Sequence, residues 1–340
     1  MAQISMGKTG LTLEQNSFGA LPIQRIPMED AVYLLRKAFD GGMQFYDTAR
    51  AYSDSEEKMG NALSGLRDKI VIATKTTART AENFRTDLET SLRVLKTDYI
   101  DIYQLHNPDF CPRPGDASGL YDAMLQAKQQ GKIRFIGITN HRPDVAREAI
   151  ESELYDTLQF PFSYLSSETD LALAESCREK QIGLIAMKAL SGGLITNAKA
   201  ACAWMSCFDH IFPIWGVQRE RELDDFLSFI PVSPDMDDEI KKCIENDQKE
   251  LQGNFCRGCG YCTPCPQGIT INMCARASLL LRRAPSENML SDSGQAMMRK
   301  VEDCLECGLC ASRCPYNLDP PALLKKNYQD YKEVLAGKPI

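Results

Sequence analysis

Two hydrophobic periods alternate along the chain. Apolar residues return every three or four positions over residues 29–39, 55–63, 81–95, 118–130, 143–150, 169–180 and 198–206, the spacing of an amphipathic helix. Between these stretches lie short continuous apolar runs at 43–46, 70–74, 99–105, 133–138, 157–160, 182–187 and 211–217, which have the length of strands buried on both faces. The first helix shows the logic: Ala31, Leu34, Leu35 and Ala38 share one face, and Gly41-Gly42 stops it. An irregular start with Gly7 and Gly10 at turns precedes one more short strand ending near Ser17 to Gly19, which makes eight. The strand ends, taken as Gly19, Asp47, Lys75, His106, Thr139, Gln159, Met187 and Gly216, are separated by 28, 28, 31, 33, 20, 28 and 29 residues. A strand with its crossover helix needs about that length, and eight such units close a barrel. The predicted fold class is α/β, a (β/α)8 TIM barrel over residues 1–232. An open doubly wound sheet that bound a dinucleotide would show a G-x-G-x-x-G turn after its first strand, and the chain has none.

Composition adds one feature to this picture. With 340 residues, 44% apolar and 25% charged, the chain is ordinary for a globular protein, and its net charge of −7 argues against non-specific binding to nucleic acid or anionic lipid. Residues 1–13 show no cleavage-site pattern, and no run approaches the roughly 20 apolar residues of a membrane span. A cytoplasmic enzyme is the expectation. Fourteen cysteines are abnormal, and nine of them fall between residues 256 and 314, eight of these (all but Cys274) in two regularly spaced runs. Clustered thiols in a reducing compartment read as metal or cluster ligands before disulfides. The composition shift divides the chain into a barrel (1–232), a Pro- and Asp-rich linker with a charged helix at 239–251 (233–253 together), and a cysteine-rich domain (254–340) closed by a helix at 320–335.

Asp47, Lys75 and His106 end three successive strands, and Tyr52 follows Asp47 by five residues. In a parallel barrel the carboxyl ends of the strands form one face, so these groups are expected to converge. A tyrosine donates a proton poorly near neutral pH unless a cation lowers its pKa. Lys75 is expected to do this for Tyr52, and Asp47 to hold Lys75 charged. Tyr52 would then be a general acid, with His106 donating a second hydrogen bond to the same oxygen. That arrangement suits reduction of an aldehyde or ketone by a hydride source.

Gly7-Lys-Thr-Gly-Leu11, Asp47-Thr-Ala-x-x-Tyr52-x-x-Ser55-Glu56, Ser91-Leu-x-x-Leu95-x-x-Asp98-Tyr-Ile-Asp101 with His106, and Gly131-Lys-Ile-Arg-x-Ile-Gly137 occur in that order. On these motifs, residues 1–232 resemble the aldo-keto reductase superfamily. The resemblance implies a barrel binding NADP(H) or NAD(H) across its mouth, with Asp47, Tyr52, Lys75 and His106 as catalytic tetrad. It also implies that Thr139, Asn140 and Gln159 hold the nicotinamide carboxamide, although a polar pair after a strand is equally a cap or turn. Gly216 and Arg219 lie where the adenosine end would sit; the residues that clamp a 2′-phosphate are only partly kept, and NADPH against NADH stays open. Ser53 stands where the family commonly has Gly, and Met187 where it commonly has an aromatic. His141 and His210 read as structural, and Cys111, Cys177, Cys202, Cys207, Cys243 and Cys274 as small apolar residues.

Cys256-x2-Cys259-x2-Cys262-x2-Cys265-Pro266 and Cys304-x2-Cys307-x2-Cys310-x3-Cys314-Pro315 are two four-thiolate runs, the second matching the bacterial ferredoxin signature. Zinc ribbons use two separated C-x2-C pairs, whereas three cysteines in succession at this spacing suit the corners of one cubane. By the ferredoxin rule the fourth cysteine serves the other cluster. Cys256, Cys259, Cys262 and Cys314 are therefore expected to hold one [4Fe–4S] centre, and Cys304, Cys307, Cys310 and Cys265 the second. The 38 residues between the runs, with a helix expected at 273–283, make this a helix-rich ferredoxin-like domain.

The expected function is a nicotinamide-dependent oxidoreductase acting on a small carbonyl or alcohol, with two [4Fe–4S] clusters for electron transfer or structure. The alternative is an iron–sulfur electron-transfer or redox-sensing protein, working with a redox partner protein, whose barrel is mainly a docking scaffold. Clusters move single electrons and hydride moves two, and no flavin signature bridges them. The substrate would be set by loops such as 107–117.

Overall fold

The computed structural model describes residues 3–251, 255–283 and 287–339. It divides into two compact units: the chain up to Lys241 apart from Leu190–Asn197, and Leu190–Asn197 together with the chain from Lys242 onward.

The first unit opens with β1 (Gln3–Ser5) and β2 (Thr12–Glu14), an antiparallel hairpin where the sequence suggested irregular chain. Strands too short for a periodic signal conceal it. Then follow β3 (Ser17–Gly19), α1 (Met28–Asp40), β4 (Phe45–Asp47), α2 (Ser55–Leu63), β5 (Val71–Thr76), α3 (Ala81–Leu95), β6 (Ile100–His106), α4 (Leu120–Gln129), β7 (Ile133–Thr139), α5 (Pro143–Ser152), β8 (Thr157–Pro161), α6 (Glu168–Glu179), β9 (Gly183–Met187), α7 (Ala198–Met205), β10 (Ile211–Gly216) and α8 (Glu220–Ser228). Strands β3 to β10 run parallel in sequence order and close, with Trp215 of β10 paired to Phe18 of β3. This is the (β/α)8 barrel that the spacing predicts. Helix α8 was not expected, because only Leu223 and Phe226 are buried in a strongly charged segment.

Strand alternation fills the interior in layers. Phe45, Val71, Ile102, Ile185 and Phe212 pack with Ile4, Met6 and Leu13 from the hairpin region, and Lys8 N–H donates to the Gln181 carbonyl just before β9. The hairpin thus closes the end of the barrel from which the strands begin. Further along the strands the same parity points Asp47, Lys75, Gln104 and Gln159 inward at the opposite end. Gly137 makes room for them: a Cβ there would lie 2.5 Å from Thr157 Oγ1 and 2.7 Å from Gln104 Cγ.

Helix α9 (Asp238–Glu250) leads into the second unit. Its further helices are α10 (Ile271–Cys274), α11 (Ala277–Arg283), α12 (Glu287–Leu290), α13 (Asp292–Arg299), α14 (Leu309–Ser312) and α15 (Pro320–Leu335). The helix expected at 273–283 is broken at Ala275 and Arg276, where the Arg276 guanidinium turns back to the Asn272 carbonyl. Helix α15 starts as its Pro320-Pro321 pair suggests, with Asp319 accepting from Ala322 N–H at 3.1 Å. Ile271, Cys274, Leu281, Met298, Leu324 and Tyr331 form its core together with Cys256, Cys262 and Cys310. Among the described residues no helix is long and apolar enough to cross a membrane.

Candidate functional site

The loop after β4 is pinned before it can position anything. Thr48 and Ser55 hydroxyls meet at 2.9 Å, and Ser55 donates to the Ala20 carbonyl at 2.9 Å. Glu56, buried at 1% exposure, accepts from Thr74 Oγ1 at 2.6 Å, Ser91 Oγ at 2.8 Å and the Arg50 guanidinium. The motif residues around Tyr52 are therefore a scaffold that sets its place. Ser53 adopts φ +40°, a backbone region that favours glycine.

At the carboxyl ends of β4, β5 and β6 the structure brings together all four residues of the expected tetrad. Lys75 Nζ donates to Asp47 Oδ1 and to the Thr48 carbonyl, both at 2.6 Å, with both side chains almost fully buried. The ammonium also lies 5.1 Å from the centre of the Tyr52 ring, and the His106 ring meets Tyr52 edge-on at 5.8 Å. Burial pushes the Asp47 carboxyl up and the Lys75 ammonium down, and their mutual attraction opposes both shifts. Each charge is the other's reason for surviving away from water.

The expected lowering of the Tyr52 pKa is not what this geometry produces. Burial raises the phenol well above its ordinary value, and the Asp47 charge raises it further. Lys75 spends its short contacts on Asp47 and Thr48 and faces the ring rather than the hydroxyl, so its charge does not offset them. Tyr52 is a firmly protonated phenol.

His106 is pushed down to about 3, by burial first and then by Lys75 and Arg79. The ring is neutral, and its buried Nδ1 has no hydrogen-bond partner among the described residues. An unfolded histidine near 6.5 binds a proton that folded His106 refuses. Stability from this group is complete above pH 6.5 and is lost as pH falls from there toward 3, at up to about 1.4 kcal/mol per pH unit. His141, held well below its usual value by burial, adds to the same acid limb. In urea titrations followed by tryptophan fluorescence, His106→Gln should make the unfolding midpoint less sensitive to acid between about pH 4 and 6.5 than wild type. An unchanged slope would contradict the neutral assignment.

Gln104, which sequence reading passed over, links the site together. Its Nε2 donates to Gln159 Oε1 at 2.9 Å and reaches Asp47 Oδ2 at 3.4 Å, while Gln159 Nε2 lies 3.4 Å from Asp47 Oδ1. The signal was available: Gln104 is two residues before His106 on one strand, hence on the same face. Asn140 is fully buried, giving Nδ2–H to the Pro108 carbonyl at 2.8 Å and accepting from Arg142 N–H at 2.9 Å, which is a turn leading into α5. Thr139 Oγ1 lies 3.9 Å from Met187 Sδ. At the other side of the mouth Gly216 ends β10. Arg219 sits 3.6 Å from Glu222, whose carboxylate also accepts from the Gln218 and Arg219 N–H groups at 3.0 and 3.1 Å.

In the second unit the eight cysteines surround two cavities. Cys256, Cys259, Cys262 and Cys314 line one. Cys265, Cys304, Cys307 and Cys310 line the other, and Cys262 and Ile271 form part of both walls. Each space thus offers four sulfur donors, the number that a [4Fe–4S] cluster takes. The other six cysteines include Cys111, Cys177, Cys202 and Cys274, which are buried free thiols. Burial raises the pKa of each, as for inert core residues.

Residues 4–210 match the aldo/keto reductase family, and residues 255–319 match the 4Fe-4S dicluster domain. L-galactose dehydrogenase of Arabidopsis thaliana is 32% identical over 212 residues, covering 57% of this chain and 66% of its own. Aldo-keto reductase YhdN of Bacillus subtilis is 32% identical over 182 residues, covering 49% and 54%. The matches thus span about two thirds or less of these two relatives' length. An aldo-keto reductase from Klebsiella pneumoniae, solved in complex with NADPH, shares the fold with a TM-score of 0.63 at 21% identity, over 74% of this chain and 98% of its own.

Proposed function

The chain belongs to the aldo/keto reductase family, an oxidoreductase family, and from that premise we propose that its barrel reduces an aldehyde or ketone at the expense of a nicotinamide dinucleotide, with Tyr52 as general acid. The observation that carries this reading is the convergence of Asp47, Lys75, Tyr52 and His106 at one end of the barrel. The nicotinamide, when bound, would supply the hydride. Neutral His106 would donate from Nε2 to the carbonyl oxygen, and the Tyr52 hydroxyl would complete a two-donor cradle for it. As negative charge grows on that oxygen, Tyr52 passes its proton across. A raised phenol pKa does not forbid the step, because an alkoxide is the stronger base. The phenolate left behind would take up a proton before the next turnover, because Lys75, 5.1 Å from the ring centre, does not offset burial and the Asp47 charge. In the reverse direction the same phenolate would take the alcohol proton.

Residues Thr139 and Gln159 would face the carboxamide, Gln159 by exchanging its bond with Gln104. Asn140 would first have to leave its turn. Gly216 and Arg219 would border the adenosine end. In the second unit, four thiolate donors around each cavity fit two [4Fe–4S] clusters, one on Cys256, Cys259, Cys262 and Cys314 and one on Cys265, Cys304, Cys307 and Cys310. Such clusters supply single electrons when present. The test is anaerobic reconstitution with iron and sulfide counts, followed by titration with NADPH and with NADH. About eight irons per chain and saturable binding of one dinucleotide are expected. Loaded protein that binds neither dinucleotide refutes the catalytic reading.

A further inference from the structure

The walls of the two cysteine cavities differ in charge. Around the cavity of Cys265, Cys304, Cys307 and Cys310 the lining comprises uncharged residues such as Pro264, Leu305 and Leu324, among the described residues. The cavity of Cys256, Cys259, Cys262 and Cys314 has Arg257 in its wall and Arg276 directly behind it. Arg276 is only 8% exposed. Its Nε donates to the Asn272 carbonyl at 3.1 Å, and that same oxygen lies 4.0 Å from Cys256 Sγ. Another guanidinium nitrogen donates to the Gly192 carbonyl at 3.1 Å, within the same compact unit. Gly258, whose N–H points to Cys256 Sγ at 3.4 Å, passes so close that a Cβ on it would sit 2.7 Å from the guanidinium carbon. Gly258 thus leaves the guanidinium room beside the segment that carries this sulfur.

Adding an electron to a cluster held by four thiolates increases an already negative charge, and the cost depends on nearby charge, hydrogen bonds to sulfur and exposure to water. Guanidinium cannot lose its proton, so its contribution holds at any working pH. Buried charge is weakly screened. Exposure of Cys307, with partial exposure of Cys265 and Cys304, favours reduction at the second site. Arg313 also holds the Pro264 carbonyl there at 3.0 Å, but in an exposed, well-screened contact. At the first site a buried cation is fixed behind the cluster. We propose that Arg276 sets the site of Cys256, Cys259, Cys262 and Cys314 at the higher of two reduction potentials, so that a first electron settles there. This rests on the reading of both cavities as [4Fe–4S] sites, each passing from the 2+ to the 1+ state with one electron from the titrant.

The experiment is a dithionite titration of the reconstituted full chain, with electron paramagnetic resonance reporting each reduced cluster. Wild type should show two resolved one-electron waves. Arg276→Gln should weaken reduction at the higher wave at least about tenfold, about 59 mV for one electron, and leave the lower wave in place. Arg276→Lys, which keeps the charge, should stay nearer to wild type than Arg276→Gln. Coincident waves in loaded wild type, equal movement of both waves in Arg276→Gln, or a fall in Arg276→Lys as large as in Arg276→Gln each overturn the proposal. If Arg276→Gln loses iron, the wild-type waves decide. Protein that takes up no iron and sulfide refutes the cluster reading instead, which keeps the two failures apart.

Discussion

Tyr52→Phe is expected to lower nicotinamide-linked carbonyl reduction by roughly 10²- to 10⁴-fold, the usual worth of a positioned general acid. The ring stays, so the cation–π contact with Lys75 and the edge contact with His106 are kept, and only the proton is lost. Dinucleotide affinity and iron content should not change, and the loss should fall on kcat more than on KM, because the hydroxyl acts when charge develops on the oxygen. The raised phenol pKa adds a second readout. Wild-type reduction should show no loss of the acid form through the ordinary tyrosine range near pH 10, since Tyr52 remains protonated there. A Phe variant with undiminished turnover would remove Tyr52 from the mechanism.

Lys75→Met is expected to be more damaging to the fold than to any single contact. Asp47 would be left with the Gln104 and Gln159 amides at 3.4 Å and no cation. Removing one partner of a buried pair costs about 3–5 kcal/mol, because the survivor's charge is uncompensated. Asp47 would respond by taking a proton, so the penalty should shrink as pH falls. The double variant Asp47→Asn/Lys75→Met should recover much of the stability and none of the activity, since it restores neutrality without restoring the cation beside Tyr52. Trp204 and Trp215 are the chain's two tryptophans, and both lie in the barrel unit. Urea unfolding followed by their fluorescence therefore reports on this unit. If the double variant proves no more stable than Lys75→Met, charge burial is not the cause.

Several elements were legible from residues alone because their signals are local. Helices α2, α3 and α15 begin and end where periodicity and caps put them, and the barrel strands follow continuous apolar runs that only a doubly covered sheet would bury. The hairpin β1–β2 and helix α8 were not, since three-residue strands and two buried side chains among charges leave no period to read. Gln104 escaped for a different reason. Its amide has no chemistry of its own, and its place between Asp47 and Gln159 depends on three strands and on the missing side chain of Gly137.

The eightfold alternation, the identities of Asp47, Tyr52, Lys75 and His106, and the grouping of eight cysteines into two runs belong to the sequence itself, because hydrophobic period and ligand spacing are properties of neighbouring residues. The protonation of the site belongs to the tertiary structure. Whether Lys75 lowers the Tyr52 pKa or Asp47 and burial raise it turns on which atoms the ammonium faces and how much water is excluded. Packing from distant segments decides both. The same holds for Arg276: nothing in its neighbours along the chain marks it, and only the fold carries its charge to the back of Cys256.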